Sequence, residues 1–121
     1  MITITPIELA TLIAEGKPIE LVDVRSTKEF EEIHIPGALS APLGKLYAAK
    51  VLRNRKLAAT EPLYVIYRSR MLAGLAAGML QASGCIHPVD VEGGMDTWAA
   101  QAARHSPLST PAGRPPRANL G

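Results

Sequence analysis

The one sulfur nucleophile in the 121-residue chain is Cys85. It follows Gly84 at the end of an alanine- and leucine-rich stretch. A small core hydrophobe is the plain account of such a cysteine, and a displaced nucleophile is the rival. A lone cysteine also excludes an intramolecular disulfide and hence a disulfide scaffold. Asp23 and Arg25 sit two apart at the end of an apolar run, where they either face a pocket or tie down the next loop. His34, just before Pro36-Gly37, reads as an orienting hydrogen-bond partner and not as a base. His87 and His105 belong to no cluster at metal-ligand spacing, so neither a metal nor a cofactor is expected. Ser69 is a hydroxyl without a general base in the sequence around it, which argues against a serine nucleophile. Around Ser69 the chain reads Tyr67-Arg68-Ser69-Arg70-Met71-Leu72. The two arginines are either ordinary loop charge or the cations of a site for an anion or an acidic protein surface.

The elements that must position these residues alternate along the chain. Ile2–Ile4 is a short strand. Thr5-Pro6-Ile7-Glu8 then forms a capping box with proline at the first helical position. The helix it opens puts Ile7, Leu9, Ala10 and Ile13 on one apolar face and ends near Gly16. Residues 19–24 read as a strand, and Ser26-Thr27-Lys28-Glu29 caps a second helix running through Glu32. Residues 38–41 are a short strand. A helical stretch follows Pro42, with Leu43, Leu46, Tyr47 and Val51 on one side. Residues 63–67 are apolar throughout, as suits a strand covered on both faces. A helix over 71–83 is stopped by Gly84, and a last strand, residues 88–91, leads through Gly93-Gly94 into a helix containing Trp98. Met95 and Trp98 read as packing residues.

This alternation predicts parallel strands joined by crossovers, with helices on both faces of the sheet. Ligands of such sheets bind beyond the carboxyl ends of the strands. The loop after Tyr67 is at such an end and at a helix N-terminus, where backbone amides and the helix dipole favour anions.

Composition fits one globular domain: 47% hydrophobic and 20% charged residues, with aromatics at only 4%, so aliphatic side chains and alanine build the core. A net charge of +2 is too small to argue for nucleic acid. The charge is uneven, however: residues 1–32 hold seven acids against three bases, and residues 45–70 hold seven bases against Glu61 alone. The basic half either draws an anionic ligand or keeps the surface solvated. No signal peptide or membrane-length apolar run is evident, which predicts a cytoplasmic protein without a membrane role. The segment 105–121, with four of the ten prolines, two arginines and no acid, is expected to be a flexible extension of a domain spanning 1–104.

Three segments in order resemble the rhodanese family. They are Leu21-Val22-Asp23-Val24-Arg25 with Glu29-Phe30 and His34-Ile35-Pro36-Gly37-Ala38; the strand, loop and helix from Leu63 to Gly84; and Val91-Glu92-Gly93-Gly94-Met95 with Trp98. The resemblance covers about residues 3–100, with Ile33 where the family usually has glycine. It implies an α/β fold with a five-stranded parallel sheet. In active members it implies a Cys-x-x-Gly-x-Arg loop after the fourth strand, whose cysteine takes up a sulfane sulfur as a persulfide and passes it on. A gapless match of the following helix puts Tyr67 on the cysteine position, Arg70 on the glycine position and Leu72 on the arginine position. A phenol has no sulfur to carry, Arg70 removes backbone freedom, and Leu72 removes a cation. The resemblance therefore implies a domain without the family's sulfur chemistry, with residues 67–72 as a contact surface for sulfate, phosphate, thiosulfate or an acidic partner, and Asp23, Arg25 and His34 in support. Two rivals stand beside it. One is an unconventional sulfurtransferase using Cys85, and the other is a degenerate copy that serves only within an assembly.

Overall fold

The computed structural model describes residues 2–45 and 48–102, without the side chains of Lys45, Arg70 and Ala102. The expected extension at 105–121 and the Leu46 and Tyr47 positions of the third helical stretch lie outside the described residues.

Five strands form one sheet: β1 (Ile2–Ile4), β2 (Glu20–Asp23), β3 (Leu39–Ser40), β4 (Leu63–Ile66) and β5 (Pro88–Val91). Their order is β1-β5-β4-β2-β3, and every pairing is parallel. The fold is thus the α/β, five-stranded parallel sheet expected above. β4 lies at the centre, buried along its whole length. Its side chains alternate between two cores, as the period of a strand requires. Leu63 and Val65 join Val22, Val24, Ala73, Ala76 and Leu80 beneath α3 (Ala48–Arg53) and α4 (Arg70–Ala82). Tyr64 and Ile66 join Leu9, Leu21, Val89, Met95 and Trp98 on the opposite face. That face is covered by α1 (Pro6–Ala14) and α5 (Gly94–Thr97), the latter continuing in a single π turn, Trp98–Ala102.

Both capping boxes form. Thr5 Oγ1 accepts from the Glu8 amide while Glu8 accepts from the Thr5 amide, and Ser26 and Glu29 do the same for α2 (Thr27–Glu32). Several expectations need correction. Ile7 is exposed; the buried face of α1 is Pro6, Leu9 and Ala10, with Ile13 half-buried. Residues i, i+3, i+4 and i+7 share a helix face, and Ile7 is one position off that stripe. The strand expected over 38–41 is only two residues long, because β3 is an edge strand paired with β2 alone. The stretch after Pro42 is not one helix: a 3₁₀ turn at Leu43–Lys45 precedes α3. Tyr67 lies one residue past β4, and α4 starts at Arg70, because Ser69 caps it.

Candidate functional site

The carboxyl ends of β2, β4 and β5 converge at one end of the sheet. Past β2, the Val24 amide donates to the Ile66 carbonyl at 2.9 Å, which binds the end of β2 to the end of β4. Past β5, the Met95 amide donates to the Tyr67 carbonyl at 3.4 Å, and any β-carbon at Gly94 would collide with that same carbonyl oxygen. The Gly93-Gly94 turn (φ +76° and +63°) thus lets the chain after β5 press against the first residue of the 67–72 loop.

Within that loop, Tyr67 is 4% exposed and belongs to the same apolar cluster as Val65, Ala41 and Ala73. It continues the alternation of Leu63 and Val65, so its ring points into the core under α4 and not out over the strand ends. Ser69 is the N-cap of α4: its Oγ accepts from the Leu72 amide at 3.4 Å. That capping role uses one lone pair of the hydroxyl and gives Ser69 a structural part. The side chain of Arg68 is 75% exposed, and its Nε lies 3.9 Å from Glu29 Oε2. Burial pushes the Glu29 carboxyl up, but hydrogen bonds from Ser26 and the charges of Arg68 and Arg25 outweigh it and hold the group below its usual range. Met71 is exposed and Leu72 half-buried; the Arg70 backbone opens α4.

Asp23 and Arg25 form a buried clamp. Arg25 Nε reaches both Asp23 oxygens at 3.1 Å, Nη2 reaches Oδ2 at 2.8 Å, and the Arg25 amide donates to Oδ1 at 2.9 Å. Nη2 also donates to the Ile33 carbonyl at 2.6 Å, which ties the chain leaving α2 to the end of β2. Of the two roles the sequence allows, this geometry is that of a tie for the following loop. His34 Nδ1 donates to the Phe30 carbonyl at 2.8 Å, and its ring stacks on Phe30 with centroids 3.8 Å apart and planes 8° from parallel. Cys85 is buried in the cluster beneath α3 and α4, past the C-terminal end of α4, whereas the loop stands at that helix's N-terminus. Thirteen helical residues separate the two by about 20 Å.

Two features escaped the sequence reading. The first is Asp90, a buried carboxylate in β5 on the α4 side of the sheet, opposite Val65. The signal was present: a charge inside Val89-Asp90-Val91, where alternation puts it on a covered face. The second is Glu29, which joins the α2 cap to Arg68 across the strand ends. Among the described residues no three His, Cys, Asp or Glu side chains gather as a metal site would need, and no helix is long and apolar enough to cross a membrane.

Comparison with known proteins agrees with this geometry. A family model described as a rhodanese-like domain matches residues 5–101. The uncharacterized protein YqhL of Bacillus subtilis is 32% identical over 82 residues, which are 68% of this chain and 62% of YqhL. The probable adenylyltransferase/sulfurtransferase MoeZ of Mycobacterium tuberculosis is 32% identical over 99 residues, 82% of this chain but 25% of MoeZ. The chain therefore spans less than two-thirds of the length of these relatives. The crystal structure of a rhodanese-like domain protein from Staphylococcus aureus superposes with a TM-score of 0.65 at 30% identity, covering 81% of this chain and 91% of that one.

Proposed function

Because the chain belongs to the rhodanese-like domain family, we propose that it is a member of that fold which binds or regulates through residues 67–72 and does not transfer sulfur by the family's route. The observation that carries this reading is the Tyr67 side chain packed into the core at the carboxyl end of the central strand. By the family's loop pattern this residue stands at the cysteine position. A buried phenol offers neither a sulfur atom nor an approach for a donor. With Arg70 at the glycine position and Leu72 at the arginine position, the hinge and the cation change along with the nucleophile. Cys85 does not replace it: the thiol is buried at the far end of α4.

The loop keeps one property suited to an anion. The N-terminus of α4 and the exposed Arg68 act in the same direction on a negative ligand. Sulfate, phosphate, thiosulfate or an acidic protein surface supplies the charge. A second reading, sulfurtransferase activity, is favoured by the similarity to MoeZ, whose name carries that activity for a protein four times the matched length.

Two measurements test the proposal. With thiosulfate and cyanide, turnover is expected to stay at the level of a Cys85→Ser variant, with no 32 Da gain on the protein by mass spectrometry. Turnover that disappears in Cys85→Ser overturns the non-catalytic reading. For the anion, a concentration ten times Kd stabilises by about 1.4 kcal/mol, a rise in Tm of roughly 5–10 °C. Arg68→Ala with Arg70→Ala abolishes that rise. An unmutated protein indifferent to sulfate, phosphate and thiosulfate removes the anion from the proposal.

A further inference from the structure

α4 buries Ala73, Ala76, Ala77 and Leu80 and turns an equally apolar face outward. Met71, Leu75 and Met79 are 75%, 55% and 40% exposed at i, i+4 and i+8, on one stripe of the helix. Gly74 and Gly78 are exposed beside them, and a β-carbon at either would meet nothing within 4 Å. From Met71 to Ser83 there is no charge. Two glycines in a helix interior weaken it by about 1 kcal/mol each relative to alanine. Among the described residues, nothing uses the space they leave. Close approach of another helix backbone would use it.

We infer that this face docks a second copy of the same chain, α4 against α4, antiparallel about a two-fold axis at Leu75. Two observations select this occupant. The stripe is self-complementary about Leu75, as an isologous interface demands: Leu75 meets Leu75, and each Met71 lies over Gly78 and beside Met79 of the other copy. Charge agrees with the antiparallel sense. Arg68 lies just before Ser69, the N-cap of α4, so antiparallel packing brings it to the C-terminal end of the other copy's α4. There it faces the negative end of a helix dipole whose last turn has no basic residue of its own. The extent of the surface sets the strength. The three side chains and two glycines expose on the order of 400 Å² per copy, about 800 Å² for the pair, short of the roughly 1,000 Å² of a stable specific interface. The association is accordingly weak and reversible. It does not require the anion reading: the outward face of α4 supplies the contact, and Arg68 bears only on the antiparallel sense.

Sedimentation velocity from about 1 μM to about 1 mM tests it. A monomer–dimer equilibrium within that range is expected. Leu75→Asp, which sets two like charges on the axis, is expected to leave only monomer. Gly78→Leu is the second variant: it raises helix propensity and so does not unfold α4, but it fills the seat of Met71 and is expected to weaken association at least tenfold. In a Cys85→Ser background, Leu75→Cys is expected to cross-link to a dimer on mild oxidation, whereas Ile2→Cys, on the outer edge of the sheet and also exposed, is not. A monomer at all concentrations overturns the inference. So does a dimer that both Leu75→Asp and Gly78→Leu leave intact.

Discussion

Replacing Arg25 with methionine removes the guanidinium but keeps most of its volume. In the folded protein Arg25 makes three side-chain contacts to Asp23 and one to the Ile33 carbonyl, all buried or nearly so. After the substitution the Asp23 carboxylate, fully buried, keeps among the described residues only the backbone amide of residue 25. Leaving a buried charge without its partner costs about 3–5 kcal/mol. The orphaned Ile33 carbonyl adds about 1 kcal/mol. Against a total of about 5–15 kcal/mol, the variant is near the limit of folding. At roughly 4–8 °C per kcal/mol, Tm falls by at least about 16 °C. Urea unfolding followed by the fluorescence of Trp98, the single tryptophan and fully buried, measures the loss directly. Asp23→Asn combined with Arg25→Met removes the unpaired charge and is expected to be more stable than Arg25→Met alone. A loss below about 1 kcal/mol for Arg25→Met, or a double variant no better than the single, refutes the clamp as the tie that fixes the β2 end and the chain after α2.

Two other expectations follow from the same geometry. Gly94→Ala puts a β-carbon against the Tyr67 carbonyl at a φ of +63°, whereas Gly16→Ala pays only for its φ of +74°, with nothing within 4 Å. Gly16→Ala should cost about 1 kcal/mol and Gly94→Ala at least twice that; equal losses would mean that the turn after β5 does not brace the loop. In acid, Glu8, Glu20 and Glu29 all titrate below the ordinary 4.5 when folded: for Glu8 through the Thr5 amide and hydroxyl, and for Glu20 and Glu29 because hydrogen bonds and cations outweigh the raising effect of burial. The folded state therefore binds fewer protons than the unfolded chain in this range. Their contribution is fully present above about pH 5.5 and is lost as pH falls through the folded values. Denaturation titrations from about pH 6 to 3 should show this decline, with a shallower slope in Glu20→Gln; a flat profile contradicts it.

Local rules made much of the frame legible. Thr5 with Glu8, and Ser26 with Glu29, cap their helices through contacts three residues apart, so no distant part of the chain is needed to foresee them. The apolar run over residues 63–67 announced a doubly covered strand, which ends one residue earlier, at Ile66. What the sequence could not decide were matters of facing and partnership. Asp23 and Arg25 suited a pocket wall or a tie, until the chain leaving α2 brought the Ile33 carbonyl onto the guanidinium. Arg68 suited loop charge or a cation of an anion site, and only folding set it near Glu29, thirty-nine positions earlier. Ser69 had a hydroxyl of open use until the start of α4 assigned it to the Leu72 amide. The direction of Tyr67, the burial of Asp90 and the bare outer face of α4 likewise depend on which elements cover which side of the sheet. Residue type and short spacing dictate an element, because its hydrogen bonds close within a few residues. The environment of a side chain at a strand end is set by elements distant in sequence, and only the assembled layers fix it.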